Sequence, residues 1–508
     1  VYDTTATWAA DQLSSGLHSF LTSPVDRWFS IMPGGAKHSQ LSHQARLWLD
    51  DVADIMYDEY GRVTAGFNQA MHEAYLEISV FGTCIVFQDW NEDENCLLFR
   101  TFALADCAVL ENAHGQIDTV YRRCLMTARM IEQEFGSVPP QLAKLTAGDQ
   151  LKEFVIVHVV RPRADRIPDR MDGPNKRYLS LYWARDTREA LAPPSGYDSQ
   201  CYHVARWSKM PGEIYGRSPG WNCLPDIQMV NAMAKTIIVA AQKRTDPPLV
   251  VPNDGFALPI RTHPGSLIFK DAGAEKIEAL DFKGQIDLGD HVLGEYRQAI
   301  NQAFYIDWLS REKKKERQSV LEIQDDRTQM LQMMAPIIGR LQVEMLAPML
   351  SRSYEILSKR RRLPDPPADL FALARKRGLT INYLSPAAKA QLGSKAAAVT
   401  AFIQDVTQLS QQFPEILDRI DPDLFSEEMA LLRDVPERIL RPMSAMVKIR
   451  QQKAAQQQAA QDAQNAKNMG QGMGGAGQGL NGAAQGLLQL AQARAAGGGS
   501  TPGIPGLS

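Results

Sequence analysis

Between residues 225 and 306 the sequence sets two helical stretches of matched length around a short β-rich insert, an arrangement that few folds accommodate. The first stretch, about 225–244, opens with Pro225 and Asp226. A proline costs nothing in a first helical turn, where its N–H would be unsatisfied anyway, and an aspartate suits the positive end of the helix dipole. Ile227, Asn231, Ala234, Ile238 and Ala241 recur at helical spacing and are expected on one face. Thr245-Asp-Pro-Pro248 stops the helix, because residues before proline avoid the α region. At ~1.5 Å per residue it is roughly 30 Å long. Leu249-Val-Val251 and Ser266-Leu-Ile-Phe269 then read as short strands, and a second helix is predicted over about 287–306. An insert of roughly 40 residues has little core of its own, so pairing with another chain would stabilise it. Pro247, Pro248 and Pro252 limit uncontrolled edge pairing.

The flanking regions differ. Leu13, Leu17 and Phe20 predict a first helix ended by Ser23-Pro24, and Leu47, Ile55, Phe67, Met71 and Tyr75 predict helix across about 40–80. From 78 the pattern turns β-rich. Ile78–Phe87 and Cys96–Phe99 flank the acidic turn Asn91–Asn95 as a hairpin, and Val109-Leu110, Val120-Tyr121, Phe154–Val160 and Tyr178–Trp183 extend a β subdomain over 78–206. A short helix near 127–135 and a Pro-Asp-Arg loop near 162–175 interrupt it. Beyond the insert a long helix spans about 321–361, with Met330, Met334, Ile337, Leu341 and Met345 as its packing stripe and a bend at Pro336. Short, proline-punctuated helices fill 368–450. The Gln/Ala-rich run from Gln451 to Asn468 favours helix, and 13 of the chain's 36 glycines lie beyond 469 in a low-complexity tail.

At 508 residues, with 44% hydrophobic and 22% charged residues, the chain can bury a real core. Lys+Arg 55 against Asp+Glu 58 gives a net charge of −3, so no global basic excess points to nucleic acid and any such contact must come from local charge. Cys84, Cys96, Cys107, Cys124, Cys201 and Cys223 contain no C-x-x-C pair, which predicts reduced, mostly buried thiols. No apolar run approaches the ~20 residues of a membrane span, and Val1-Tyr2-Asp3 does not open a secretory signal, so no membrane partner is expected.

Two catalytic patterns match only in letters. Gly216-Arg-Ser218-Pro-Gly220 fits the nucleophile elbow G-x-S-x-G, which makes Ser218 the nucleophile of a competing serine-hydrolase reading. The elbow takes an oxyanion donor from the N–H after the serine, and Pro219 has none. Gly472-Met-Gly474-Gly-Ala-Gly477 fits a dinucleotide fingerprint but lacks the preceding strand, and low complexity explains it. Scattered histidines, among them His38, His43 and His72, form no H-E-x-x-H, and no P-loop is present, so neither metal nor cofactor nor enzymatic activity is predicted. A helical scaffold without a nucleic-acid role is the third reading. Arg311-Glu-Lys313-Lys314-Lys315-Glu-Arg317 carries a local +3 between two long helices. Alone it reads as a solvated helix end with partial Glu312–Lys315 pairing. Repeated around a ring, it would make a phosphate-contacting collar.

The order of these segments, with several stretches, resembles the portal (head-to-tail connector) proteins of podovirus-type bacteriophages. The matching stretches are Tyr2-Asp3 through Ala10, Leu13-Ser-Ser-Gly-Leu17, Leu21-Thr22 and Arg27-Trp28-Phe29. They continue with Trp207, Gly212-Glu213, Tyr215-Gly-Arg-Ser-Pro219, Leu224-Pro-Asp-Ile227, Asn231, Asp246-Pro-Pro-Leu-Val-Val251 and Pro264-Gly265. Leu341, Glu344-Met-Leu-Ala-Pro348, Leu357 and Leu363-Pro364 complete the set, which covers roughly 1–440. The chain departs from the family at Ser319-Val-Leu-Glu322, where a Thr-Ala-Thr-Glu-like run is usual.

The resemblance implies an α+β, mainly helical portal fold assembled as a ring of usually twelve subunits. By it, 1–224 with 318–365 form a wing, 225–245 and 286–306 the stem, 246–285 the clip, 307–317 a channel loop and 366–450 the crown. Residues 451–508 would form a tail, with a possible barrel helix. Arg311, Lys313, Lys314, Lys315 and Arg317 are then expected to face double-stranded DNA, and Leu249, Val250, Val251, Leu267, Ile268 and Phe269 to contact a tail adaptor. The implied partners are the major capsid protein, a scaffolding protein, the large subunit of the terminase, and tail adaptor or nozzle proteins. The implied place is the capsid vertex of the virion, after assembly in a bacterial cytoplasm.

Overall fold

A computed structural model describes residues 1–34, 41–146, 148–167, 170, 175–250, 278–279, 286–306, 333–371, 379–383, 386–410, 413, 415, 420–433, 435, 437–441, 443–472 and 488–489. The N-terminal part alternates helix and strand: α1 (Thr5–Leu21), β1 (Phe29–Pro33), α2 (His43–Gly61), α3 (Phe67–Phe81), β2 (Thr83–Asn91) and β3 (Cys96–Phe102). The predicted helix over 40–80 is thus two helices. Gly66, at φ +68°, takes the left-handed conformation that an L side chain resists, and it lets the chain turn between them. The predicted hairpin also begins later than expected, at Thr83. Ile78 to Phe81 complete α3, which Gly82 closes at φ +84° with its N–H on Ile78 O. Ile78 and Ser79 are buried by that helix, whereas Phe81 is exposed.

A five-stranded antiparallel sheet follows, ordered β4-β5-β6-β7-β8: β4 (Cys107–Glu111), β5 (Ile117–Thr127), β6 (Glu153–Pro162), β7 (Tyr178–Ala184) and β8 (Ser195–Tyr197). α4 (Ala128–Phe135) and α5 (Pro140–Thr146) cap one end, burying Ile131 and Leu142 against Phe154 and Ile156. β9 (Tyr202–Arg206) returns beside β2 in a separate three-stranded sheet, β3-β2-β9. All five β9 side chains are buried, which explains its unbroken run of non-alternating positions. His158 bonds Tyr202 Oη across the two sheets (2.7 Å) and, within its own sheet, Ser180 Oγ (3.0 Å), stacking on Tyr182, while within the three-stranded sheet His203 Nε2 meets Gln88 Oε1 at 2.8 Å. Burial first, then the Arg122 charge for His158 and the Arg352 charge for His203, push both imidazoles down to about 3. Both are therefore neutral structural groups.

After α6 (Pro219–Asn222), α7 (Leu224–Thr245), β10 (Leu249–Val250), β11 (Glu278–Ala279) and α8 (Ile286–Ala303), the chain is helical again over 333–341 and in α9 (Ala347–Lys359). Met334, Ile337, Leu341 and Met345 are buried, as the stripe predicts, while Met330 lies outside the described residues. Residues 307–332, which precede the bend expected at Pro336, lie outside the described residues, and Pro336 itself is helical; a further irregularity appears as a π-turn at Gln342–Leu346, where Ala347 N–H bonds Gln342 O. Pro348 supplies the reason: it brings no N–H to the carbonyl of Glu344 and its ring would collide with it, and one extra residue in the turn relieves both. Arg352, buried on α9, donates to Gln88 O (3.1 Å) and Ser199 O (3.0 Å) and so ties the helix to the three-stranded sheet.

The region expected to be purely helical after 368 contains a strand. β12 (Leu379–Tyr383) pairs antiparallel with β1 along its whole length, Phe29 opposite Tyr383 and Pro33 opposite Leu379. Its Leu-Thr-Ile-Asn-Tyr alternation is a strand pattern that the surrounding prolines obscure. α10 (Pro386–Ser410), α11 (Pro422–Leu432) and the Gln/Ala-rich α12 (Met443–Gly472) follow. All six cysteines are unpaired, five buried and Cys124 half-buried. The result is an α+β fold with one large core, in which α1, α2, α3, α9 and the helix pair α7/α8 meet.

Candidate functional site

The helix pair is anchored at one end and projects at the other. α7 carries Asp226 in its first turn and Lys243 and Arg244 in its last, each matching the local sign of the helix dipole. Its packed stripe is Ile227, Val230, Ala234 and Ile237, against a core that holds Leu293, Ile300 and Phe304. Of the expected face, Ile227 and Ala234 are packed and Asn231 is half-buried, whereas Ile238 and Ala241 are exposed and Val230 and Ile237 pack in their place. Gly289 of α8 packs beside Ile237 of α7, where even an added Cβ would make only an ordinary 3.4 Å contact. Leu224, Met229, Ile238 and Val239 remain exposed, and every residue from 241 to 246 is exposed. At ~1.5 Å per residue α7 is roughly 33 Å long, and its packed stripe runs from Ile227 to Ile237.

Beyond that projecting end, Leu249 and Val250 form the two-residue strand β10, paired with Ala279 and Glu278. Their side chains lie outside the described residues, as do Val251, Leu267, Ile268 and Phe269 and the whole run Arg311, Lys313, Lys314, Lys315 and Arg317.

At the anchored end the structure brings together residues far apart in sequence. Tyr2 N–H donates to Asn231 Oδ1 on α7 at 2.7 Å, and the Asp3 carboxylate accepts from Arg297 Nε and Nη2 on α8 at 2.9 and 2.8 Å. Desolvation works against the Asp3 charge, but the Thr5 hydrogen bonds and Arg297 hold its carboxyl below the usual range. One short N-terminal segment therefore clips both helices of the pair.

A second joint lies where the chain enters α7. Gly82 and Gly216 touch backbone to backbone: a Cβ on Gly82 would fall 2.4 Å from Gly216 O, and one on Gly216 would fall 2.1 Å from Gly82 O. Gly216 N–H donates to Thr83 Oγ1 (2.8 Å), and Trp207 N–H to Gly82 O (2.9 Å). Ser218, fully buried, donates to Val80 O (2.6 Å) and accepts from Trp221 N–H (2.8 Å), so it caps α6. The hydroxyl is buried away from any substrate and its proton is committed to a backbone carbonyl instead of a base, so the hydrolase reading fails on geometry as well as on Pro219. Gly216-Arg-Ser-Pro-Gly220 is a structural turn.

Arg206, 3% exposed, closes the joint. Its backbone N–H and Nε donate to Glu344 Oε2 (3.0 and 3.2 Å) and its Nη2 to Glu344 Oε1 (2.7 Å). Nη1 pairs with Glu111, which Lys209 also binds, and reaches Ile214 O at 3.2 Å. Desolvation opposes the guanidinium charge, yet Glu344 and Glu111 raise its pKa above the ordinary value. Glu344 lies in the π-turn, so the same motif that widens the helix delivers the carboxylate that grips Arg206. Sequence reasoning had not assigned roles to Arg206, Gly82, Asp3 or Arg297. Their signal is purely tertiary, since each acts on a partner at least 90 residues away.

The family described as "Bacteriophage head to tail connecting protein" matches residues 1–440. The chain belongs to that family. Among curated relatives it is 27% identical over 478 residues to the "Probable portal protein" of Bordetella phage BPP-1, covering 91% of this chain and 84% of the relative. It is 26% identical to the "Portal protein" of Salmonella phage epsilon15, covering 91% and 83%. A solved structure titled "Neck of empty GTA particle computed with C6 symmetry" matches at 11% identity and a TM-score of 0.38 over 78% of this chain and 85% of that one. That overlap is too loose to bear on function. All residues of the joints just described lie within the matched stretch 1–440.

Proposed function

We propose that the chain is a portal subunit: about twelve copies form a ring at one capsid vertex through which double-stranded DNA is packaged and later ejected. The observation that carries this reading is the helix pair α7/α8, tied to the body by Tyr2 and Asp3 and entered through the Gly82–Gly216 contact, with apolar residues left exposed in a single chain. A neighbouring copy in a ring would cover Leu224, Met229, Ile238 and Val239. In this reading α7 and α8 are the stem, 246–285 the clip, 307–317 the channel loop, 1–224 with 318–365 the wing, 366–450 the crown and 451–508 its extension.

The charge supports a conduit rather than a tight binder. Twelve chains of −3 make a ring of −36, which repels a sliding polyanion, while a +3 run on each chain would give local grip. The proposed partners are DNA, the major capsid and scaffolding proteins, the large terminase subunit, and tail adaptor or nozzle proteins at the clip residues Leu249–Val251 and Leu267–Phe269. The ring would sit in the virion, having seeded head assembly in the host cytoplasm. No helix among the described residues is long and apolar enough to cross a membrane.

Replacing Lys313, Lys314 and Lys315 with Gln tests the channel loop. The expected result is altered packaged DNA length or retention with ring assembly intact. Unchanged packaging and retention would leave the loop as solvated structure.

A further inference from the structure

We propose that Arg161, Arg163, Arg166, Arg170, Lys176 and Arg177, the cations of the sequence segment 161–177 between β6 and β7, form a second contact for the phosphodiester backbone of nucleic acid, set on the five-stranded sheet and apart from the helix pair. The segment carries Arg161, Arg163, Arg166, Arg170, Lys176 and Arg177 against Asp165, Asp169 and Asp172, a net +3 in a chain of −3. Arg161, Arg166, Arg170 and Arg177 are exposed, and Arg163 and Lys176 half-buried.

These cations are held in place. Arg163 N–H donates to Arg177 O at 2.9 Å, which continues the ladder beyond the Pro162–Tyr178 pair and sets the two arginines opposite each other. Such cross-strand neighbours share a face with Cβ atoms about 5 Å apart, and like charges there destabilise the sheet. Arg161, two residues back on β6, joins the same face at ~6.6 Å along the strand. Arg163 Nε is buried without an acceptor, and its Nη2 only reaches Ser195 O at 3.5 Å. At the loop, Asn175 Oδ1 accepts from Ile167 N–H (2.9 Å) and its Nδ2 donates to Ile167 O (2.5 Å) and Arg170 O (3.0 Å). That staple fixes where Arg166 and Arg170 leave the backbone. Among the described residues only Lys176 of the six has a carboxylate partner, Asp198 at 4.0 Å, and Asp198 also binds Lys359.

A like-charge pair beside an orphaned donor is a local conflict of the kind that folds retain at functional sites. An anion between Arg163 and Arg177 removes it. Cations repeated along one strand face, with two more on the loop, fit a repeating anion better than a single carboxylate, and guanidinium forks match phosphate oxygens bidentately. The segment contains no aromatic residue to stack on bases, so it holds the backbone and reads no sequence.

The test uses the assembled full-length protein, a short labelled DNA duplex and anisotropy over a salt series, with poly-L-glutamate as a second probe. Replacing Arg161, Arg166, Arg170 and Arg177 with Gln removes four phosphate contacts. The slope of log K against log salt is then expected to fall by about 3.6, at ~0.9 per phosphate. The four Lys replacements should restore most of it. The Lys313/Lys314/Lys315→Gln chain should retain the hairpin's share, which separates this contact from the channel loop. If the fourfold variant fails to assemble, R166Q and R170Q, on the exposed loop, each serve alone with an expected drop of about 0.9. An unchanged slope in assembled variants overturns the proposal. So does a hairpin-dependent affinity for polyglutamate without one for DNA, which would mark an acidic protein as the partner.

Discussion

Replacing Gly82 with alanine strikes the joint on which the helix pair depends. Gly82 sits at φ +84°, and a Cβ there would lie 2.4 Å from Gly216 O, 2.7 Å from Gly216 C and 2.7 Å from Ser218 N, all backbone atoms of a turn that cannot rotate away. Gly136 offers the matched control, at φ +78° with nothing within 4 Å of its would-be Cβ. Both substitutions incur the left-handed penalty of roughly 1–2 kcal/mol. Only Gly82→Ala adds an overlap that forces backbone to move, a further cost of about 1–3 kcal/mol by analogy with overpacked cores. Urea unfolding followed by tryptophan fluorescence reads the difference, with Trp207 and Trp221 flanking the joint as local reporters. The expected result is a midpoint clearly lower for Gly82→Ala than for Gly136→Ala, with Gly216→Ala resembling the former. Equal midpoints would show that the Gly82–Gly216 contact is loose and that the stem is not fixed there.

Ser218→Ala should destabilise by about 1 kcal/mol through loss of the α6 cap and leave ester hydrolysis unchanged from background, whereas a hydrolytic rate abolished by this change would revive the nucleophile reading. His158 and His203 titrate near 3 in the fold but near 6.5 when unfolded, so the unfolded chain binds more protons as pH falls. Their contribution to stability is complete above pH 6.5 and shrinks between 6.5 and 3, by about 2 kcal/mol per histidine at pH 5. Unfolding midpoints measured from pH 7 to pH 5 should drop accordingly, and the H158Q/H203Q chain should show a flatter profile. A wild-type midpoint that does not move over that range contradicts neutral burial of these rings.

Local signals in the sequence located most elements but not the contacts between them. The bounds of α7 followed from Pro225 and the Thr245–Pro248 stop, because capping and proline chemistry are local. The packed face of α7 followed only in part, since Ile237 and Ile238 are equally apolar and only the position of α8 decides which one faces inward. Ile78–Phe81 read as strand although they complete α3, because an apolar, β-branched run looks alike in either structure until Gly82 ends it. The alternation of β12 is short and lies among prolines that suggest broken helices, and its pairing with β1, some 350 residues earlier, is a tertiary fact no local pattern carries. The joint residues show the same limit. Gly216-Arg-Ser-Pro-Gly220 was visible as a pattern, but Gly82, Arg206 and Glu344 give it a meaning only in three dimensions.

The central claim is that the exposed face of the helix pair exists to meet neighbouring copies around a channel. Light scattering on the purified chain, with negative-stain imaging of the same sample, tests it most directly. The account predicts a particle of about 680 kDa, twelve times the 56.5 kDa chain, seen end-on as a ring with a central hole. A stable species of 56.5 kDa with no rings in the images would contradict it.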